Sequence, residues 1–366
     1  MTITYRTQLS TSTQRDSWLE INLSALERNY KKLSEKIKVN IMAVVKADAY
    51  GHGATTIAPV LQSLKIHSFG VATVDEGIAL RNSGIKVPIL ILGATPFWSY
   101  ESCCSNQLTI TIYSCEQLNQ LEDFCKNKNY IVPVQLKIDT GMNRLGISPS
   151  EVTKTLLKIT SSKYFILEGI FSHLSDAKNI EFSKLQKDKF DNALKACPGM
   201  PLQKHIANSY AGINYPDFSY NLVRFGIALY GYEDDFLEPI LSVKGRITHL
   251  HKVNKNDYVS YDRTWQAQKE SIIATIPIGY ADGIDRNLSN KIVGIYNGRQ
   301  IKQVGTITMD QMMFDVSEIG NPKTGDIITL IGKEVSIDSW AKILNTITFE
   351  LVCKLKLRLP RIYTRD

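Results

Sequence analysis

Between Ile41 and Gly231 the chain repeats one alternation, a short apolar run followed by an amphipathic stretch, and this constrains its fold more than any other feature. The apolar runs are IMAVV ahead of Lys46, then HSFGVAT, VPILILG, LTITIYS, VPVQLKID, FILEGIFSHL, LQKHIAN and NLVRFGIALYG. Runs of this kind, apolar on both faces and bounded by turn residues, read as interior strands of a parallel sheet. Helical patterns precede and separate them. Ser24-Ala-Leu-Glu27 reads as a capping box opening SALERNYKKLSEKI, and others run through Asp75–Leu80, Cys115–Asn129 and Phe182–Lys195. The spacing is loosest after Gly93, where the helix is least defined. Eight strands alternating with helices predict an α/β chain folded as a TIM (β/α)8 barrel.

After Ile240 the texture changes. SVKGRITHLHKV, DYVSYDRTW, SIIATIPIGY, KIVGIYNGRQIKQVGTITM, MMFDVS and GDIITLIG are short β runs separated by Gly, Asn and Asp, which predicts a C-terminal all-β domain. The expected division is an N-terminal segment, 1–14, packing on the β domain, a barrel over 15–240, and the β domain over 241–366. A length of 366 residues suits a barrel plus a smaller domain.

The net charge of +7 raises the question of nucleic acid. The basic residues are scattered, and the densest cluster, Lys354 to Arg361, alternates with Leu and Pro as an edge strand would. Without aromatic–basic interleaving, no nucleic-acid partner is expected. No apolar run approaches the roughly 20 residues that span a bilayer, and MTITYRTQLSTSTQRDSW lacks the apolar centre of a signal peptide. The expected location is the cytoplasm, with no membrane partner. The cysteines (Cys103, Cys104, Cys115, Cys125, Cys197 and Cys353) show neither metal-ligand spacing nor a disulfide framework. They are expected to be reduced, and no metal is expected.

Chemistry enters at Lys46, where the first run gives way to Ala-Asp-Ala-Tyr50-Gly-His-Gly53. In a parallel barrel, catalytic groups project from the strand end where Lys46 sits. Partial desolvation there lowers a lysine pKa and frees its amine as a nucleophile. The alternative is a lysine that snorkels to the surface, and the stretch alone leaves both open. A barrel lysine suits a Schiff base with an aldehyde cofactor, and pyridoxal phosphate adds the need for a phosphate cup. TIM barrels build such cups after the seventh and eighth strands. Here those loops hold His205-Ile-Ala-Asn208-Ser209 and Arg224-Phe-Gly226-Ile227. Ser209 offers a hydroxyl, and Gly226 and Ile227 offer backbone amides.

From about Arg15 to the C-terminus the segments RDSWLEINLSALERN, AVVKADAYGHG, LKIDTGMNRLG, EGIFSHLSDA, HIANS, VRFGIALYG, VSYDRTW, IPIGYADG, TITMDQM and RLPRIY follow in order. Together they resemble the bacterial alanine racemases, fold-type III pyridoxal-phosphate enzymes. The resemblance implies that Lys46 carries the cofactor covalently and that Tyr50, Ser209, Gly226 and Ile227 bind its phosphate. It places His173 against the pyridine ring and Arg224 at the pyridine nitrogen. An always-charged donor there resists protonation of the ring, which weakens the electron sink and favours racemisation over the decarboxylation of relatives with a carboxylate. Two bases are then required, one on each face of the reacting carbon. Lys46 is one. Tyr261, supplied by the partner subunit of a homodimer with shared active sites, is the other. A phenol with a pKa of about 10 is a weak base at neutral pH, so cationic neighbours such as the His173–Arg224 pair are expected to assist it. Arg144 is expected at the cofactor's phenolic oxygen and the substrate carboxylate, which the Met309 amide also reaches. Tyr280, again from the partner subunit, is expected to line the inner entrance, and Lys137 matches a lysine carbamylated in many relatives.

Four positions depart from the pattern. Asp262 follows Tyr261 where glycine is common, Lys178 and Thr306 replace an entrance Asp–Arg pair, and Leu357 replaces a tyrosine that touches the phosphate. The expected function is racemisation of L- and D-alanine, supplying D-alanine for peptidoglycan. Serine or broader small-amino-acid racemisation is the alternative within the class. A non-catalytic pyridoxal-phosphate homeostasis protein is the alternative outside it, against which the β domain argues.

Overall fold

The computed structural model describes residues 5–6 and 15–366. They divide into two compact units, one of 26–49 and 53–238, the other of the remainder, which includes 15–25, 50–52 and 239–366.

The first unit is the barrel. Its strands are Asn40–Val44, Ser68–Val71, Ile89–Ile91, Thr109–Ile112, Val132–Lys137, Phe165–Phe171, Gln203–His205 and Leu222–Phe225. Each falls inside one of the eight apolar runs, except that the first starts one residue ahead of its run, at Asn40. Neighbours pair in parallel, and the eighth strand returns to the first with Arg224 opposite Met42. Between the seventh and eighth strands Arg224 N–H donates to Ala207 C=O at 3.2 Å, so the barrel is nearly closed. The helices begin where polar caps occur. Thr73 and Glu76 form a capping box for Val74–Asn82, Ser114 caps Cys115–Lys128, and Asn179 caps Ile180–Leu194. After Gly93 only a short turn, Phe97–Ser99, and the Tyr100–Ser105 helix intervene.

Two local expectations change. The first helix, Leu23–Ile37, is capped by Asn22, whose side chain accepts from Ala25 N–H at 2.9 Å. Asn is as good a cap as Ser, and Ser24 Oγ instead donates to Asp366 C=O. The strand Ser17–Asn22, expected within a barrel starting at residue 15, belongs to the other unit. It lies between Leu241–Arg246, antiparallel, and Arg361–Thr364, parallel. The alternation SWLEIN announces a strand but says nothing of which sheet it joins.

The second unit is built on a ten-stranded sheet running from Tyr5–Arg6 through Arg361–Thr364, Ser17–Asn22, Leu241–Arg246, Ile327–Ile331, Val293–Tyr296, Arg299–Val304, Met312–Asp315 and Ser271–Ile276 to His249–Val253. This is the expected C-terminal all-β sheet, to which Ile337–Leu344 and Thr348–Lys354 add two short helices. The Lys354–Arg361 cluster is not an edge strand. Lys354 ends a helix, and the strand starting at Arg361 is paired on both sides. The expectation for residues 1–14 lies outside the described residues except at Tyr5 and Arg6, which pair with Tyr363 and Ile362. Among the described residues no helix is long and apolar enough to cross a membrane, and the cysteines carry free thiols.

Candidate active site

The carboxyl ends of the barrel strands gather Lys46, Lys137, Arg144, His173, His205, Ser209 and Arg224. Lys46 follows the first strand and starts an unusual turn. Ala47, Asp48, Ala49 and Tyr50 all have left-handed φ, between 51° and 55°, and none is glycine. Such residues cost free energy and persist where surrounding contacts over-determine them. Glu76 supplies one such contact. One carboxylate oxygen accepts from Ala47 N–H at 2.7 Å, and the other accepts from Ala72 N–H at 2.7 Å and Thr73 N–H at 3.3 Å. Asp48 supplies another by accepting from Ala54 N–H at 2.7 Å. Tyr50 closes the turn and is assigned to the second unit, where its buried ring lies 6.2 Å from that of Phe349. Burial, then the neighbouring Cys353, pushes its phenol up, so it is a neutral donor.

Arg224 is the electrostatic centre. Nη1 donates to His205 Nδ1 at 2.6 Å and to His205 C=O at 3.2 Å. Nη2 faces Ser172 C=O at 2.8 Å, Ile206 C=O at 3.0 Å and His173 Nδ1 at 2.9 Å. The guanidinium has no acceptor atom, so both imidazoles must accept through Nδ1 and carry their protons on Nε2. Both are accordingly neutral. Burial, then Arg224, holds each well below the ordinary imidazole range, with Lys137, Arg144 and Lys46 adding to the shift of His173 and His67 to that of His205. Burial lowers Arg224 to about 9, which leaves it cationic at neutral pH. Its Nε–H makes no hydrogen bond to the described residues.

The His205 assignment propagates inward. Its Nε2–H donates to Gln135 Oε1 at 2.8 Å, which turns the Gln135 amide to donate to Gln203 Oε1 at 3.1 Å. Phe171 stacks on His205 with centroids 4.8 Å apart, and Lys137 Nζ and Arg224 Cζ lie 5.4 Å and 5.6 Å from its centroid. Lys137 is buried, and burial, then Arg224 and Arg144, lowers it to about 8, with Asp139 opposing. Arg144 is exposed on a loop folded around Asp139, whose Oδ1 accepts from Gly141, Met142 and Asn143 N–H within 3.1 Å. Gly146 is required there. Its φ is 135°, and a Cβ would stand 2.6 Å from Asp139 N.

The phosphate candidates form a compact group. Ser209 Oγ accepts from Gly226 N–H at 3.2 Å and Ala228 N–H at 3.4 Å, so its own proton points away from both. Gly226 thus spends its amide on Ser209, while the Ile227 amide opens the Ile227–Tyr230 turn and makes no hydrogen bond to the described residues. Four cationic groups around one neutral imidazole, beside a free hydroxyl donor, suit a ligand carrying phosphate and carboxylate.

The remaining candidates lie in the second unit. Tyr261 is 68% exposed, on a loop whose main chain is held by Thr306 Oγ1 donating to Tyr261 C=O at 3.0 Å. Thr306, expected beside an entrance, is itself buried beneath this loop. Tyr280 and Met309 are locked to each other, because Tyr280 N–H donates to Thr308 C=O and Ala281 N–H to Met309 C=O, both at 3.0 Å. Gly279 permits this approach, since a Cβ would stand 2.2 Å from Thr308 O. Asp282, fully buried, meets Arg15 at 2.7 Å and anchors the same turn by accepting from Gly279 N–H. The Met309 amide makes no hydrogen bond to the described residues. Leu357 is exposed, and Lys178 Nζ lies 5.6 Å from the Tyr210 ring centroid. Sequence reasoning missed Glu76, Gln135 and the part played by His205, although Asp75-Glu76, VPVQLKID and HIANS were all in view.

Two family models match the chain: the alanine racemase N-terminal domain over residues 21–234 and the alanine racemase C-terminal domain over 240–363. Alanine racemase 1 of Clostridium acetobutylicum is 37% identical, with 96% of each chain covered. Among solved structures, alanine racemase of Clostridium difficile 630 superposes with a TM-score of 0.92 at 34% identity, covering 97% of each chain. Alanine racemase of Bartonella henselae, solved with covalently bound pyridoxal phosphate, gives 0.87 at 30% identity, covering 95% of this chain and 99% of that one.

Proposed function

Since the chain belongs to the alanine racemase family, we propose that it interconverts L- and D-alanine with two bases and bound pyridoxal phosphate. The residues present fit that cofactor. Lys46 offers the amine for covalent attachment, Ser209 O–H and Ile227 N–H are donors for a phosphate, and the uncommitted Arg224 Nε–H suits an unprotonated ring nitrogen. When bound, the cofactor supplies an electron sink for the pair released as the Cα–H bond breaks. Lys46 Nζ takes or returns the proton at Cα on one face. The Tyr261 phenol of a second copy does so on the other, which makes the working form a homodimer with shared sites. Arg144 and the Met309 amide hold the substrate carboxylate, and Tyr280 of the second copy narrows the approach.

The observation that carries this reading is the locking of Arg224 by two imidazoles and three carbonyls. A guanidinium so held remains a donor and never delivers a proton to the ring, which favours return of the proton to Cα over other outcomes. Lys137, lowered to about 8, has a neutral fraction at neutral pH. Its amine adds CO2 with loss of one proton, and the carbamate becomes an anion beside Arg144. In the cell the proposed role is cytoplasmic supply of D-alanine for peptidoglycan.

Borohydride reduction of the purified protein should fix the cofactor on Lys46, and attachment to a different lysine would overturn the assignment. Lys46→Ala and Tyr261→Phe should each be inactive, and mixing them should restore activity in heterodimers that carry one intact site. Cα exchange and optical rotation followed with L-Ala and L-Ser side by side decide the preferred substrate. Growth of a D-alanine auxotroph on this gene tests the cellular role.

A further inference from the structure

The Tyr261 loop is strained and tethered in a way that the reaction above does not explain. Ser260, Asp262 and Arg263 have φ of 68°, 62° and 51°, and none is glycine. Within the single chain the side chain of Tyr261 is exposed. The main chain is held from below by a directional chain of hydrogen bonds. Asn290 Nδ2, which can only donate, lies 3.1 Å from Thr264 Oγ1. Thr264 therefore accepts there and turns its proton to Thr306 Oγ1, 3.1 Å away. Thr306 in turn donates to Tyr261 C=O at 3.0 Å. Two further bonds brace the same residues, Ser260 Oγ to Thr306 C=O at 2.6 Å and Gly305 N–H to Asn290 Oδ1 at 2.6 Å. Gly305 brings its backbone against the loop, where a Cβ would stand 2.5 Å from Val259 O. An exposed ion pair, Arg286 with Asp262 at 2.6 Å, also tethers the loop from outside, and solvent screens it.

We propose that Thr306 is a positioning residue for proton transfer by Tyr261, its hydroxyl being the last link of an Asn290–Thr264–Thr306 chain that fixes the Tyr261 main chain. This rests on the reading of Tyr261 as the second base. Thr306 touches neither substrate nor the reacting carbon. It acts by setting where the phenol stands, and small displacements of a reacting group are costly to rate.

The test compares Thr306→Val, which keeps the shape and removes the hydroxyl, with Thr306→Ser, which keeps the hydroxyl, in the holoenzyme. Exchange of Cα deuterium is measured separately from each enantiomer of alanine, with Tyr261→Phe alongside to identify the enantiomer whose exchange depends on the phenol. Thr306→Val should slow exchange from that enantiomer by roughly 10- to 100-fold and leave the other within about twofold, with KM little changed. Thr306→Ser should restore both. Hydrogen–deuterium exchange of the 258–266 segment should rise in Thr306→Val and not in Thr306→Ser. If Tyr261→Phe abolishes racemisation while Thr306→Val exchanges both enantiomers as the parent does, the positioning role is wrong and the two-base reading stands. Equal slowing from both enantiomers would also overturn it. If Tyr261→Phe still racemises, the two-base reading fails and this proposal with it. Should Thr306→Val not fold, Thr264→Val breaks the same chain at an exposed residue and should slow the same enantiomer, and its failure to do so counts against the proposal.

Discussion

Arg224 Nη1 stands 2.6 Å from Nδ1 of His205, and only one protonation pattern allows it. The cation donates, the imidazole accepts, and His205 Nε2–H is committed to Gln135. Protonating Nδ1 would set two donors and two positive charges against each other in a dry site.

That relationship fixes the sign of an acid effect. The folded pKa values of His173 and His205 lie well below the unfolded value near 6.5. As pH falls through that value the unfolded chain takes up protons first, so stability is complete above it and declines below it. The urea midpoint should therefore drop between about pH 7 and pH 5. Gln135→Glu, which offers His205 a carboxylate, should favour its imidazolium and dislodge Arg224, visible in the 15N shifts of the ring.

Replacing Arg224 by lysine keeps a charge and loses the fork. One ammonium cannot serve the carbonyls of Ser172, His205 and Ile206 together with two imidazoles. Arg224→Lys should lower unfolding free energy by roughly 2–5 kcal/mol, measured by urea denaturation.

Lys137 gives a pH effect of the same sign in a more alkaline window. Its folded pKa, about 8, lies below the ordinary 10.5, so its destabilising effect is full below pH 8 and fades as pH rises toward 10.5. Lys137→Met should flatten the stability profile across that window. In 13C-bicarbonate the parent should show a carbamate resonance that Lys137→Met lacks.

The left-handed turn after Lys46 predicts a gain from glycine. Ala47 is exposed with φ 51°, so Ala47→Gly should raise stability by up to about 1 kcal/mol after the unfolded-state entropy is counted. Glu76→Ala, which frees the Ala47 and Ala72 amides, should lower it by about 1–3 kcal/mol and slow covalent attachment of the cofactor, followed by absorbance.

The barrel was legible because strands buried on both faces leave apolar runs that no surface element imitates, as VPILILG and LTITIYS do. The placement of Lys46, Arg224 and Ser209 at or just after the carboxyl ends of barrel strands was legible because such ends define where side chains emerge. Other features were not. Nothing in Ala47-Asp-Ala-Tyr50 announces four left-handed residues, since the turn is imposed by Glu76 from another helix. Thr306 looked like a lost entrance group, and its hydrogen-bond partners are 42 and 45 positions away. The Ile337–Lys354 helices sit in a stretch whose neighbours are all strands, and the short Thr348–Lys354 helix has no side-chain cap.

The pairing of Ser17–Asn22 with Leu241–Arg246 has a consequence for how the chain is made. Ile21 faces Leu241, and Asn22 N–H donates to Ile240 C=O at 2.9 Å. Topologically the barrel therefore fills the place of the loop in a β-hairpin. During synthesis the first arm waits, both edges unpaired, until the whole barrel has left the ribosome, and its other neighbour, Arg361–Thr364, is translated later than Leu241–Arg246. A chain in which a short turn joins Asn22 to Ile240 would close that hairpin at a saving of about 3 kcal/mol relative to a flexible loop of roughly two hundred residues. Its partner would be a barrel freed of its guest position, and cutting at residue 240 instead would strip the sheet of an interior strand.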